Sequence, residues 1–148
     1  MYFVDRKRIE QVLTYMEEVT QFLEVEPLQT DKKSGLALER AVAVLIESII
    51  DVGNQLIDGF IMRDPGGYED IIDILEDENV ITVQECDELK KIVQLRKTLA
   101  YEYTTIDHQH LYQTITEQLT GVKRFPIAVR AYLKNELGVI TAFIPEEQ

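Results

Sequence analysis

Apolar residues recur every three or four positions along most of this chain, and this spacing constrains its fold more than any other feature. The first such stretch begins at Ile9 and continues through Val12, Leu13, Met16, Val19, Phe22 and Leu23. Residues at these intervals share one face of an α-helix. Asp5 is suited to cap the N-terminus of this helix, and Pro27 ends it. No segment alternates with a period of two over the length of a strand, so we predict an all-α protein.

The second stretch, from about Leu36 to Ile57, is apolar on two sides. One stripe comprises Leu38, Val42, Leu45, Ile49, Val52 and Leu56, and the other comprises Ala43, Ile46, Ile50 and Ile57. A helix with two apolar sides needs neighbours on both, so we expect it at the centre of the fold and at a subunit interface. Its remaining face carries a line of polar residues, Glu47, Asp51, Asn54 and Asp58. We interpret this line as a solvated edge, because it contains no histidine and too few oxygen ligands for a metal site.

Turn and capping residues mark two further helices. The sequence Asp64-Pro65-Gly66-Gly67 is typical of a turn. A short third helix follows with Ile71, Ile72 and Leu75, and Asn79 is a suitable end for it. Thr82 and Glu85 have the spacing of a capping box, so a fourth helix begins there. Its apolar positions continue it past residue 95, through Cys86, Leu89, Val93 and Leu99.

A fifth helix is predicted after Asp107, with apolar positions that include Leu111, Ile115, Leu119 and Val122. Pro126 should kink or break it, because proline lacks a backbone N–H and clashes with the preceding turn. Gly138 ends the regular part. We therefore predict an up-and-down bundle of about five helices, with residues 1–138 as one domain and 139–148 as a C-terminal tail. A chain of 148 residues with 45% hydrophobic content can bury one core and is too short for two domains.

The distribution of apolar residues along the chain limits the compartments in which we expect the protein. No apolar run approaches the roughly 20 residues that a membrane span needs, and the N-terminus lacks the apolar region of a secretory signal. We expect a soluble, cytoplasmic protein with no membrane association. Cys86 is the only cysteine and lies on the inward face of the fourth helix, where it is expected to be a small core residue. We expect neither a metal nor a cofactor.

The charge is negative overall and unevenly distributed. A net charge of −12 disfavours nucleic acid. Residues 64–89 carry acidic side chains and no basic ones, whereas two later segments are basic. The first contains Lys90, Lys91, Arg96 and Lys97, and the second contains Lys123, Arg124, Arg130 and Lys134. The basic segments are either ordinary solvated helix faces or a polarised surface for a complementary partner or a short RNA.

Residues 96–103, Arg-Lys-Thr-Leu-Ala-Tyr-Glu-Tyr, carry the motif that bears most on function. They resemble the signature of the HepT branch of the HEPN superfamily. In that signature an arginine, usually followed by asparagine, precedes a histidine by five positions and a tyrosine by seven, and an Ile-Asp pair opens the next helix. Arg96, Tyr103 and the pair Ile106-Asp107 match it. Tyr101 stands at the position of the histidine, and Lys97 at that of the asparagine.

The resemblance runs from Leu38-Glu39-Arg40-Ala41 to the helix after Asp107 and implies a HEPN-like homodimer whose two signature segments meet at the interface. It also implies a metal-independent endoribonuclease toxin, paired with a minimal nucleotidyltransferase antitoxin that transfers AMP to the tyrosine at position 103. Arg96 would then stabilise charge on the phosphate, and Tyr101 would stand where a proton is transferred. We expect Lys97 and Lys91 to bind RNA phosphate.

Tyr101 is expected to weaken this activity. An ordinary tyrosine phenol has a pKa of about 10, against about 6.5 for histidine, and is a poor base near neutral pH. General acid–base catalysis contributes about 10²–10⁴-fold, so the loss should be of that order. Arg96 and Tyr101 are five residues apart, which is about 500° around a helix, or about 140° between side chains. We therefore expect either a distorted helix or a contribution from a second protomer.

Two histidines and three classes of function remain. His108 or His110 would supply the missing base only if a dimer brought one of them to Arg96. The protein is an active or weakened endoribonuclease, a catalytically silent member that binds RNA, nucleotide or protein, or a dimeric adaptor of a nucleotidyltransferase.

Overall fold

Seven α-helices follow one another through the residues that the computed structural model describes, 4–27 and 29–137. They are α1 (Arg6–Val25), α2 (Lys32–Gly59), α3 (Tyr68–Asp77), α4 (Val83–Val93), α5 (Arg96–Tyr101), α6 (His108–Glu117) and α7 (Leu119–Leu137). No strand occurs within these ranges. The all-α prediction is confirmed. Gly138 and the predicted tail, 139–148, lie outside the described residues.

The helix count differs from the prediction because two predicted helices are each divided. The predicted fourth helix ends at Val93, and the chain turns at Gln94 and Leu95 before α5 begins. The Leu95 N–H bonds to the Ile92 carbonyl at 3.0 Å, a tighter turn than an α-helix makes. Arg96 therefore opens a new short helix instead of continuing α4.

The break expected at Pro126 is absent, whereas a kink there stays a prediction. The chain stays helical through Pro126, and α6 gives way to α7 at Gln118 instead. Pro126 is buried with its neighbours Phe125 and Val129. Burial of this apolar face outweighs the hydrogen bond that proline cannot make, because most helical stability in proteins comes from packing.

The central position of α2 is confirmed. It packs against α1, α3, α5 and α6. Every residue of the first predicted stripe is buried, as are Ile46, Ile50 and Ile57 of the second, while Ala43 is partly buried. Both apolar sides are thus covered within a single chain. The two-sided character of α2 consequently gives no support for a second subunit.

The predicted caps are confirmed. The side chains of Asp5, Thr82 and Asp107 each accept a backbone N–H bond from the first turn of the helix that follows. Glu85 completes the capping box by accepting from the Thr82 N–H at 2.9 Å. Asn79 ends α3 with a φ of 63°, a left-handed conformation that asparagine tolerates. These capping hydrogen bonds and the left-handed conformation of Asn79 determine where the helices start and stop.

Cys86 lies in the core as expected. Its Sγ is 3.5 Å from Asp73 Oδ1. Burial, with a further contribution from Asp73, raises the pKa of the thiol to about 11. A thiol with that pKa stays protonated near neutral pH and is a weak nucleophile. Across the same described residues, no helix is both long enough and apolar enough to cross a membrane.

Candidate functional site

Three helices meet at Arg96, the first residue of α5. Its Nε donates a hydrogen bond of 2.9 Å to Glu47 Oε2 on α2. Its Cζ lies 4.4 Å from the centre of the Tyr68 ring, at the start of α3. The Arg96 side chain is 26% exposed, and that of Glu47 is 50% exposed. The guanidinium is therefore fixed along one edge and over one face, yet remains accessible to solvent.

The surroundings keep Arg96 positively charged. Its pKa is raised above the ordinary value, first by the hydrogen bond to Glu47 and then by the negative charge of Glu47, while partial burial acts in the opposite direction. Smaller contributions from Tyr68 and Tyr101 also raise this pKa. A permanently charged, planar group with several N–H donors suits a phosphate.

Arg96 and Tyr101 are the first and last residues of α5, and the chain is helical between them. The distorted helix that the sequence allowed for is therefore not found here. The angle of about 140° between the two Cα–Cβ directions is that of a regular helix. The contribution of a second protomer stays a prediction.

The two signature tyrosines are open to solvent. Tyr101 is 72% exposed and Tyr103 is 65% exposed. Tyr103 lies in the turn after α5, two residues beyond its last helical residue. Tyr68, whose ring lies against Arg96, is half exposed as well.

Most cations of the two basic segments pair with carboxylates on other helices. Lys90 pairs with Asp73, Arg96 with Glu47, Lys123 with Glu24, Arg124 with Glu85, and Arg130 with both Glu10 and Glu17. These contacts join helices and do not form a free basic surface. The pairing favours ordinary helix faces for most of these cations, and a polarised surface for a partner or a short RNA stays a prediction. Lys91 and Lys97 are exposed and have no carboxylate partner among residues 4–27 and 29–137.

His108 is held away from Arg96. Its Nε2 lies 2.7 Å from Glu39 Oε2 on α2. The ring also lies against Gly35, where an added Cβ would come within 2.9 Å of Nε2. Glu39 and Glu47 are eight residues apart on α2, about 12 Å along its axis. Within one chain His108 therefore braces α6 on α2, and His110 is simply exposed.

Sequence reasoning missed Glu47 and Tyr68 as members of this site. Glu47 belongs to the predicted solvated edge, and its exposure confirms that placement. Tyr68 precedes the apolar positions that predict the third helix. The one hint was that Glu47 interrupts the longest apolar run of the chain. Nothing local connects it with an arginine 49 residues later. Within the part of the chain that the structure covers, no group of His, Cys, Asp or Glu is arranged to hold a metal ion.

The helical fold and the signature segment define a recognised class of protein. Residues 9–129 match the family described as Ribonuclease HepT-like, and the chain belongs to this family.

One relative is YutE of Bacillus subtilis (strain 168), which is named provisionally as an RNase. It is 47% identical over 143 residues, covering 97% of this chain and 99% of YutE. The solved structure of YutE, named as a cytosolic protein, has a TM-score of 0.91 and covers 93% of this chain and 96% of that one.

Toxin–antitoxin structures share the fold at lower identity. A chain in a toxin–antitoxin complex with AMP-PNP has a TM-score of 0.73 and 18% identity, covering 86% of this chain and 98% of that one. A tri-AMPylated HEPN toxin of Shewanella oneidensis, in complex with MNT antitoxin, has a TM-score of 0.66 and 19% identity, with coverages of 86% and 94%. These two likenesses extend to the fold alone.

Proposed function

We propose that this protein is a metal-independent RNA endonuclease of the toxin type, with activity weakened by Tyr101. The observation that carries this proposal is the preorganised guanidinium of Arg96, held by Glu47 and Tyr68 in the signature segment of a HepT-like ribonuclease. Glu47 engages Nε, so the terminal nitrogens remain for a phosphate. A cation fixed in advance stabilises developing charge without reorganising during the reaction.

Free cations beside Arg96 support an RNA substrate. Lys97 follows Arg96 in α5, and Lys91 lies on the last turn of α4. Each is exposed, and neither pairs with an acid among the described residues. In a protein of net charge −12, these few cations carry the attraction for phosphate. RNA binding should therefore be weak and strongly dependent on salt.

A homodimer and a nucleotidyltransferase antitoxin belong to the same proposal. Tyr68 against Arg96, and Tyr101 and Tyr103 in the signature segment, are exposed aromatic side chains suited to contact with a second chain or a partner. The fold is shared with toxins whose structures contain an antitoxin, one of them AMPylated. Tyr103 aligns with the family tyrosine and is exposed, which suits it as the AMP acceptor. We place the protein in the cytoplasm, where RNA and ATP are available.

A second candidate function is a catalytically silent binding partner or adaptor. Tyr101 in place of histidine favours it, as do the ion pairs that use up most of the cations in the basic segments. A silent member would keep the fold, the dimer and the partner, and would bind RNA or nucleotide without cleaving it.

RNA cleavage by the purified protein separates the two functions. Wild type should cleave RNA slowly, with the same rate in the presence of a chelator, and Arg96→Ala should abolish cleavage. Arg8→Ala is the matched control, because it removes an equal charge from the exposed surface of α1. Binding of RNA without any cleavage by wild type would favour the silent function. Equal rates for wild type and Arg96→Ala would remove Arg96 from the site.

A further inference from the structure

Glu47 is the carboxylate closest to the proposed reaction centre. Its Oε2 accepts the hydrogen bond from Arg96 Nε at 2.9 Å, and no described residue donates a hydrogen bond to Oε1. The side chain is half exposed, so solvent and substrate reach it. A phosphate bound to the terminal nitrogens of Arg96 would therefore lie beside a carboxylate oxygen that is free to act.

We infer that Glu47 is the proton acceptor of the proposed RNA cleavage, in the place that histidine has left. This inference rests on the proposed nuclease function and names the base for it. An ordinary glutamate has a pKa of about 4.3 and is ionised at neutral pH. It can accept a proton under conditions where a tyrosine phenol cannot. Tyr101 is better suited to donate one, because a phenol stays protonated at neutral pH.

The step balances with the groups at this site. Glu47 takes the proton of the ribose 2′-hydroxyl while the 2′ oxygen bonds to the adjacent phosphorus. The bond from phosphorus to the 5′ oxygen breaks, and this oxygen takes the proton of the Tyr101 hydroxyl. Arg96 stabilises the charge on the phosphoryl oxygens in between. The products are a 2′,3′-cyclic phosphate and a 5′-hydroxyl end, after which Glu47 loses its proton to water and Tyr101 regains one.

Two other roles are conceivable for Glu47 at this position. Each predicts a different effect of its loss on RNA binding and cleavage. As a purely positioning residue it would hold Arg96, and its loss would weaken RNA binding and cleavage together. As an inhibitory negative charge it would compete with phosphate for Arg96, and its loss would strengthen both RNA binding and cleavage. A proton acceptor predicts a split, with binding kept or strengthened and cleavage lost.

Glu47→Gln distinguishes these roles, because an amide oxygen still accepts the Arg96 hydrogen bond but is not a base. RNA binding and cleavage are measured for wild type, Glu47→Gln and Asp51→Asn. Asp51 is the matched control, since it lies one turn further along the same exposed line of α2 and its change removes the same charge. We expect Glu47→Gln to bind RNA at least as tightly as wild type and to cleave it at least about 10²-fold more slowly. Asp51→Asn should cleave at the wild-type rate.

A second variant tests for the missing carboxylate directly. Glu47→Ala should regain cleavage when formate is added, compared with chloride at the same ionic strength. Cleavage by Glu47→Gln at or above the wild-type rate would overturn the inference about Glu47 and leave the proposed nuclease function standing. A parallel loss of RNA binding and cleavage would do the same. Absence of cleavage by wild type would instead remove the proposed nuclease function, and the inference with it.

Discussion

At the scale of a single residue, the identity of Tyr101 determines the rate of RNA cleavage that we expect. A phenol cannot exchange a proton near neutral pH as readily as an imidazole. Tyr101→His should therefore raise cleavage of RNA, by up to about 10²-fold or more. Initial rates with and without a chelator measure the effect, and the chelator should change neither rate.

Tyr15→His provides the control for this variant. Tyr15 is an exposed tyrosine on α1, so the same chemical change is made away from Arg96. It should leave the rate of cleavage unchanged. If Tyr101→His gave no gain, then Lys97 or the wider surface would also have lost the nuclease role.

Tyr103 is the residue at which a partner enzyme is expected to act. It is exposed and lies in a turn, where a nucleotidyltransferase can reach its hydroxyl without unwinding a helix. An attached AMP would place a bulky anion near Arg96 and Lys97, so it should weaken RNA binding as well as cleavage. Mass spectrometry after incubation with a cognate nucleotidyltransferase and ATP should find the mass of AMP added to this residue.

Tyr103→Phe and Tyr101→Phe identify the acceptor. The first variant should stay unmodified, and the second should be modified like wild type. An equal mass increase in the Tyr103→Phe protein would move the acceptor elsewhere, with Tyr101 as the first candidate.

At the scale of the helices, the position of Arg96 depends on how α2 and α3 pack. Gly53 of α2 lies where these helices approach closely, and an added Cβ would come within 2.5 Å of Ile71 Cγ2 on α3. Alanine favours a helix over glycine by up to about 1 kcal/mol. Overpacking a core typically costs about 1–3 kcal/mol, because neighbours must move or leave their rotamers.

Gly53→Ala should therefore lower the free energy of unfolding, by up to about 2 kcal/mol once the gain in helix propensity is subtracted from the cost of overpacking. Urea unfolding followed by circular dichroism measures the change. Gly66→Ala serves as the control, because an added Cβ would make only an ordinary contact there, 3.6 Å from Asp70 Oδ2. A Gly53→Ala protein as stable as wild type would mean that α2 and α3 separate easily, and Tyr68 would then be a weak support for Arg96.

At the scale of the whole molecule, the apolar sides of α2 are covered inside one chain, so they do not support the proposed dimer. The tyrosines in and near the signature segment, Tyr68, Tyr101 and Tyr103, are exposed. We expect two chains to associate through them, because burying aromatic rings is strongly favourable.

Light scattering should give twice the mass of one chain at micromolar concentration. Replacing Tyr101 and Tyr103 together by serine should shift the protein toward the monomer. Ile127→Ser is the control, since Ile127 is a similarly exposed apolar residue on α7. A wild-type monomer at these concentrations would contradict the dimer and leave the site to a single chain.

The sequence by itself determined the local structure and the family. Apolar spacing placed the helices, and Asp5, Thr82 and Asp107 fixed their starts, because a helix and its cap depend on residues within one or two turns. The signature around Arg96 could likewise be read directly, since it is a short run with fixed spacing. Membership in the HepT-like ribonuclease family then followed from residues that are neighbours in the chain.

The tertiary structure decided which charged groups meet. Arg96 and Glu47 are 49 residues apart, and no spacing along the chain predicts that α2 and α5 bring them to 2.9 Å. The same holds for Lys123 and Arg130, whose acidic partners on α1 turned a predicted basic segment into a set of interhelical ion pairs. An ion pair depends on distance in space, which the packing of whole helices fixes. Only the folded chain, therefore, separated the cations that join helices from those left free for a phosphate.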